Sequence, residues 1–423
     1  MNLLSNINDK IISKNHDLKN YFDTKFQQYP ALIYNSVDVR HNSFKIAPVD
    51  TNCYPAGFNN LSNIGQENCQ KQFEIFLQNH FQSKKIETNL SSKKNIFIIP
   101  ENHTRNQKYL ENLSALQKIL SKNYQIFITT YNPEILEKTT LELDNSSSLT
   151  LYPLQKITGK LAITENNQKI FADYAILNND LTNGIQEILQ NLTTTINPSV
   201  NLGWFQRTKT NHFNIYNQIA QEIGEILKID HWLISSLHDY CDNLDFKENI
   251  GFECLVKQID KILAQIQEKY DQHQINLRPY CFLKANNGTY GMAVWPVSDS
   301  QEVLEMNKKE RNKMNMVKGS TQTHSIIIQE GIFTEDKIND SASEPLLYIA
   351  NAKLIETIYR TNPLKDDHGN LNSNGAIFFN SQNIINQNHN INLSNFYNLY
   401  ELIASMTSLA SSIESNNLNN YEK

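Results

Sequence analysis

Apolar residues at Leu4, Ile7, Ile11, Ile12, Leu18 and Phe22 recur mostly three and four positions apart, which predicts helix across residues 1–30. The alternation in "ALIYNSVDVR" then predicts a strand. "HNSFKIAPVDTNCYPAGFNNL" follows, rich in Asn, Pro and Gly, and reads as an ordered loop. Helical spacing returns in "ENCQKQFEIFLQNHF". "KNIFIIP" is a short buried strand, "YLENLSALQKILSK" a helix and "YQIFITTY" another strand. Strands alternating with helices predict a parallel α/β sheet, whose ligands bind outside the carboxyl ends of its strands. "PENHTRN" and "LNNDLTNG" both fall at that edge.

From about residue 201 the pattern changes. "HFNIYNQIAQEIGEIL" and "GFECLVKQIDKILAQIQEKY" are amphipathic helices, and "PYCFLKANNGTYGMAVWPV" is a strand, loop and strand. "EVLEMNKKERNKM" reads as one charged helix and "HSIIIQEGI" as a strand. "PLLYIANAKLIETIYRTNP" reads as two antiparallel strands turning at Asn351, and "FYNLYELIASMTSLASSIE" as a closing helix. The expected organisation is an N-terminal α/β domain over 1–200, a second domain over 201–395 and a C-terminal helix over 396–423. No internal repeat is present, which argues against a solenoid.

The chain has 423 residues, 39% hydrophobic and 19% charged, with net charge −6. That balance fits a globular protein and gives no electrostatic case for nucleic acid or an anionic membrane. No stretch approaches the ~18 apolar residues of a membrane span. The N-terminus lacks the apolar run of a signal peptide, so a cytoplasmic location is expected. Five cysteines (Cys53, Cys69, Cys241, Cys254 and Cys281) without CxxC spacing are expected to be free thiols. "HWLISSLHDYCD" carries His231, His238, Asp239 and Cys241 in no zinc-binding pattern and is expected to be a surface helix.

Three polar stretches carry candidate chemistry. In "FLKANNGTYGM", Lys284 ends an apolar run, followed by Asn286, Asn287, Gly288, Thr289 and Gly291. Glycines let backbone N–H groups turn toward a phosphate, and the lysine can reach the same anion. The stretch alone would serve equally as a plain hairpin turn. In "SIIIQEGI", Gln329 and Glu330 end a strand where an adenine edge and ribose could be gripped. The stretch from Glu356 to Phe379 holds Arg360, Asp366, Asp367, Asn370 and Asn372. Oxygen donors beside a cation suit Mg²⁺ on phosphate oxygens, with Arg360 steadying an oxyanion.

The order of "RTKTNHF" (Lys209), "FLKANNGTYGM", "IIIQEGI" and "YRTNP…NLNSNGAIFF" resembles an ATP-grasp enzyme, and more narrowly the proteobacterial glutamate–cysteine ligase family. "SVDVRHNSFKIAPVDTNCYPAGFNNL", "IPENHTRN" and "LNNDLTNGI" resemble that family's N-terminal blocks. Together the blocks span residues 34 to 380.

The resemblance implies an ATP-grasp domain over 201–395. It also implies a reaction in which ATP phosphorylates the γ-carboxylate of L-glutamate and the amine of L-cysteine displaces the phosphate. It implies phosphate contacts from Lys209 and Lys284, loop closure by Asn286 to Gly291, nucleoside contacts from Gln329 and Glu330, and a catalytic Arg360. Arg40, Lys45, Asn59, Asn60, His103 and Arg105 become candidates for the amino acids, and Asp367, Asn370 and Asn372 for Mg²⁺. The wide separation of Lys209 from Lys284 implies either a helical insertion over residues 230–277 or a different lysine in the place of Lys209. Ligation of other amino acids, or nucleotide binding without ligation, are the alternatives.

Overall fold

The computed structural model describes residues 3–84, 93–288, 293–315, 323–386 and 393–420. Its largest sheet is antiparallel, in the order β19 (Ile377–Phe379), β18 (Lys353–Thr361), β17 (Ser341–Ala350), β1 (Tyr34–His41), β2 (Ile46–Asn52), with β16 (Lys337–Ile338) beside β17. It joins strands from both ends of the sequence, so residue 200 is not a boundary of this sheet. The expected hairpin turn at Asn351 is present, with Asn351 and Ala352 both at positive φ.

The expected parallel sheet runs β11 (Ile196–Asn197), β10 (Tyr174–Asn178), β3 (Asn95–Pro100), β4 (Gln125–Thr130), β6 (Ser148–Pro153), closed by antiparallel β5 (Thr139–Glu142). Helices α3 (Asn63–Ser83) and α4 (Gln107–Leu120) pack their apolar faces with one side of it, through Phe73, Leu77, Leu113 and Leu116. A small sheet of β7 (Gln155–Ile157), β8 (Lys160–Glu165) and β9 (Gln168–Phe171) adjoins. Because β3 and β10 are parallel neighbours, "PENHTRN" and "LNNDLTNG" do leave the sheet at the same edge.

A third sheet runs β12 (His238–Cys241), β15 (Ile326–Glu330), β13 (Cys281–Ala285), β14 (Val294–Val297). Helix α6 (Phe252–Gln272) buries Leu255, Ile259, Ile262 and Ile266, spaced three or four apart, against it. Helix α5 (Lys209–Leu227) packs on α10 (Leu393–Asn420), and α1 (Leu3–Ser13) and α2 (Asn15–Gln28) lie alongside. A short helix, α9 (Ser381–Asn386), follows β19.

Four local expectations are corrected. The Asn-rich segment after β1 contains β2, because the Asn42 side chain accepts from Phe44 N and Lys45 N at 3.1 and 3.0 Å and turns the chain back. "EVLEMNKKERNKM" splits into α7 (Gln301–Leu304) and α8 (Lys308–Asn315), because Asn307 accepts from Lys309 N and Glu310 N and restarts the helix. "HWLISSLHDYCD" is a 3₁₀ turn, His231–Ile234, followed by β12, so the supposed helical insertion contributes a strand to the sheet that carries Lys284.

Finally, Cys241 and Cys254 form a disulfide between β12 and the first turn of α6, while Cys53, Cys69 and Cys281 are free and buried. Burial pushes the Cys53 thiol up to about 11 and Cys281 up to about 12, which makes both poor thiolates.

Candidate functional site: a cationic cleft between two sheets

Two faces of antiparallel sheet meet at a small cleft. Asp38 and Arg40 lie two apart on β1 and so share a face. Glu344 on β17 stands directly opposite Arg360 on β18, and Asp38 directly opposite Asp50 on β2. From the other sheet Phe282 and Lys284 line the same space, with Lys209 from the start of α5. Gly288, Asn370 and Asn372 complete the rim. Four cations thus converge with three carboxylates.

Their pairing is specific. Glu344 takes Arg40 Nε at 2.6 Å on one oxygen and Arg360 Nε and Nη2 at 3.0 and 2.5 Å on the other. The remaining reach of Arg360 goes to Asp38 Oδ2 at 2.6 Å. Lys209 holds Asp50 at 2.5 Å and lies over the Trp204 ring. Between Asp38↔Asp50 and Val39↔Pro48 the ladder skips Val49, a bulge. The Val49 carbonyl accepts from Lys284 Nζ at 2.8 Å, and Gln329 Oε1 accepts from the same ammonium at 2.8 Å.

Electrostatics follow from this arrangement. Burial lowers the Lys284 pKa to about 8, partly offset by Asp50 and reinforced by Lys209 and Arg40. Burial works to raise Glu344, but Arg40 and Arg360 outweigh it and hold the carboxyl below its ordinary value. Asp50, only partly buried, is held below its ordinary value against that burial by Lys209 and Lys284. Asp38 goes the other way: burial, with Glu344 and Asp50 facing it, outweighs Arg360 and raises it. Every cation in the cleft is satisfied by a protein partner, and the enclosed space is about 50 Å³. Ligand pockets are commonly ~300–1,000 Å³. Taking up an anion here would require displacing hydrogen bonds now made to Asp38, Asp50 or Gln329.

Of the residues singled out from the sequence, Arg40, Lys209, Lys284, Gly288, Arg360, Asn370 and Asn372 line this cleft. The two lysines, distant in sequence, meet here. Asn287 is half-buried beside it, while Thr289 and Gly291 lie outside the described residues.

Others are turned elsewhere. Glu330 follows Gln329 on β15 and faces the opposite side of that strand, where it binds Lys45 Nζ, Trp232 Nε1 and Leu237 N. Lys45 and Glu330 are each only 1% exposed. The expected substrate contact of Lys45 and nucleoside contact of Glu330 are thus replaced by a buried ion pair with each other. Gln329 is fully buried between Lys284 and Ser236. The Asn286 side chain bonds Thr210 and Ser325.

Asn59 and Asn60 sit in a 3₁₀ turn outside the cleft lining. His103, bonded to Glu101 at 2.7 Å, occupies a separate small recess at the parallel-sheet edge, and Arg105 nearby is exposed. The expected metal triad does not assemble: the Asp367 carboxylate bonds His368, and the Asn370 side chain accepts from Asn372 N. Among the described residues no group of three or more His, Cys, Asp or Glu could hold a metal. Asp38, Asp50 and Glu344 were missed, although the strict alternation of "VDVR" is a signal that Asp38 and Arg40 share a face.

A family profile described as "GshA: Glutamate-cysteine ligase" matches residues 8–415. The chain is similar to the crystal structure of a proposed gamma-glutamylcysteine synthetase from Methylobacillus flagellatus KT. Identity is 30% and the TM-score 0.83, over 98% of this chain and 96% of that one. D-alanyl-alanine synthetase A from Vibrio cholerae aligns at 10% identity and TM-score 0.29, over 60% of this chain and 67% of that one. A glutathione synthetase-like effector from Globodera pallida aligns at 8% and 0.40, over 89% and 83%. Both alignments are too loose to carry an argument. Comparison with curated protein sequences returns no match. No helix among the described residues is long and apolar enough to cross a membrane.

Proposed function

Since this chain belongs to the glutamate–cysteine ligase family, we propose that its cationic cleft is where ATP and the glutamate γ-carboxylate meet. The family reaction is an ATP-dependent ligation of L-glutamate to L-cysteine, giving γ-glutamylcysteine, ADP and phosphate, in glutathione biosynthesis. A carboxylate is a poor electrophile, and phosphorylation gives it a leaving group that the cysteine amine can displace. Catalysis of such a transfer is mostly positioning and charge neutralisation.

The observation that carries this reading is the convergence of Arg40, Lys209, Lys284 and Arg360 in one cleft. Lys209 and Lys284 neutralise nucleotide phosphate charge, exchanging Asp50 and Gln329 for phosphate oxygens. Arg360, a planar fork with two nitrogens already on one carboxylate oxygen, steadies the acyl phosphate and the tetrahedral intermediate. Arg40, on the other side of Glu344, pairs with a substrate carboxylate. The Gly288 backbone, with no side chain in the way, lines the cleft where phosphates would lie. On this reading residues 201–395 supply most of the nucleotide contacts in an ATP-grasp arrangement, while β1 and β2 bring the amino-acid side to the same cleft.

A divalent ion such as Mg²⁺ would arrive with the phosphates. Asp367, Asn370 and Asn372 do not form a ready ligand set, and no step is assigned to a metal.

ADP release from purified protein with Mg-ATP and L-glutamate, with and without L-cysteine, tests the reading, with products weighed by mass spectrometry. Cysteine-dependent ADP release with a γ-glutamylcysteine mass is expected. Turnover with L-alanine or L-2-aminobutyrate but not cysteine would reassign the amine. ATP binding without amine-dependent turnover would overturn the ligase reading.

A further inference from the structure

Asn286 belongs to the glycine loop, yet it does not line the cleft and is only 3% exposed. Every polar group it has is engaged with protein. Its carbonyl accepts from Lys209 N at 2.7 Å and its N–H donates to Ser325 O at 3.0 Å. Its side-chain oxygen accepts from Thr210 N at 3.0 Å and from Thr210 Oγ1 at 2.9 Å. Its side-chain nitrogen donates to Ser325 Oγ at 2.9 Å.

Lys209 and Thr210 open α5, where backbone N–H groups have no partner within the helix. Asn286 satisfies two of them from outside, while the neighbouring Thr208 side chain serves Asn211. One residue therefore binds the first turn of α5, the end of β13 and the approach to β15. Lys284 stands two residues before it and Gly288 two residues after it, and both line the cleft.

We propose that Asn286 is the positioning residue that fixes Lys209 relative to Lys284, and that it touches no phosphate itself. This rests on the reading of the cleft as the nucleotide site. Without the Asn286 side chain, Thr210 N and Oγ1 lose their acceptor and the first turn of α5 is free to shift. Lys209 then no longer meets the anion that Lys284 holds.

An aspartate separates positioning from direct contact. Asn286→Asp keeps the oxygen that accepts from Thr210, and an anionic acceptor at a helix N-terminus is favourable. The same carboxylate placed against phosphate would repel it. Equilibrium binding of Mg-ATP, and KM for each substrate, are measured for the native chain, Asn286→Ala and Asn286→Asp.

The expected result is ATP affinity at least tenfold weaker in the Ala variant and within about threefold of native in the Asp variant, with KM for glutamate and cysteine unmoved. An Asp variant no better than the Ala variant, or an Ala variant with native ATP affinity, overturns the proposal. A parallel rise in all three KM values also overturns it, since that is general structural damage. If Asn286→Ala does not fold, Thr210→Val removes one of the two side-chain bonds. It should weaken ATP alone, and unchanged affinity sinks the idea. Native protein that binds ATP without releasing ADP overturns the ligase reading instead, and the binding order of the variants still decides the role of Asn286.

Discussion

Glu344 stands directly across the β17–β18 ladder from Arg360, and its carboxylate, 3% exposed, also holds Arg40. One buried anion thus spaces two buried guanidiniums. Glu344→Gln leaves the shape and removes the charge, so two cations share a neutral amide. The expected loss is about 3–5 kcal/mol of stability, the range for breaking a buried ion pair. A urea midpoint unchanged from native would show that Arg40 and Arg360 do not depend on it.

Arg360→Lys replaces a fork bound to both Glu344 and Asp38 by a point charge. Turnover should fall about 10²–10³-fold, the scale of losing one oxyanion donor, with ATP affinity within about threefold. Single-turnover ADP formation and equilibrium ATP binding together check this. Native turnover would remove Arg360 from the chemistry.

Lys284 gives the cleft a pH dependence. Burial brings its pKa to about 8, so kcat/KM for ATP should be flat below that pH and fall as pH rises through it. Lys284→Arg stays charged and should carry the fall to higher pH. In stability the sign is opposite. The unfolded chain keeps this proton to ~10.4, so between about 8 and that value this group adds stability as pH rises. A kcat/KM profile with no inflection near 8 in the native enzyme would remove Lys284 from the nucleotide site.

The Lys45–Glu330 pair should matter for folding and not for substrates. Glu330 receives Lys45, Trp232 Nε1 and Leu237 N in the protein interior. Glu330→Gln is expected to cost about 3–5 kcal/mol while KM for ATP, glutamate and cysteine stays near native. A selective rise in KM for ATP would return Glu330 to the nucleotide.

The Cys241–Cys254 bridge closes a loop with sequence separation 13, a size for which a disulfide is worth ~2–4 kcal/mol. Reduction, or Cys254→Ala, should lower the thermal midpoint. Thermal melts with and without reductant decide it, and coincident curves would show that the bridge adds no stability.

The sequence by itself determined the local elements and the order of chemical groups. Short apolar runs located strands such as β3 and β15 and period-3.6 spacing the long helices, because burial imposes its pattern on the residues that fill the core. Lys284, Gly288 and Arg360 were legible as single residues in polar stretches, and Lys209 only through the family resemblance. Only the tertiary structure decided which of them share a cleft. Glu344 meets Arg360 through strand register, and Asp50 meets Asp38 across a bulged pair. Cys241 reaches Cys254 because β12 lies on α6. Gln329 and Glu330 are neighbours in sequence and alike in chemistry, yet the alternation of a strand sends one to Lys284 and the other to Lys45. Which of those two sides faces the cleft depends on the sheet packed against it, and no local pattern carries that information.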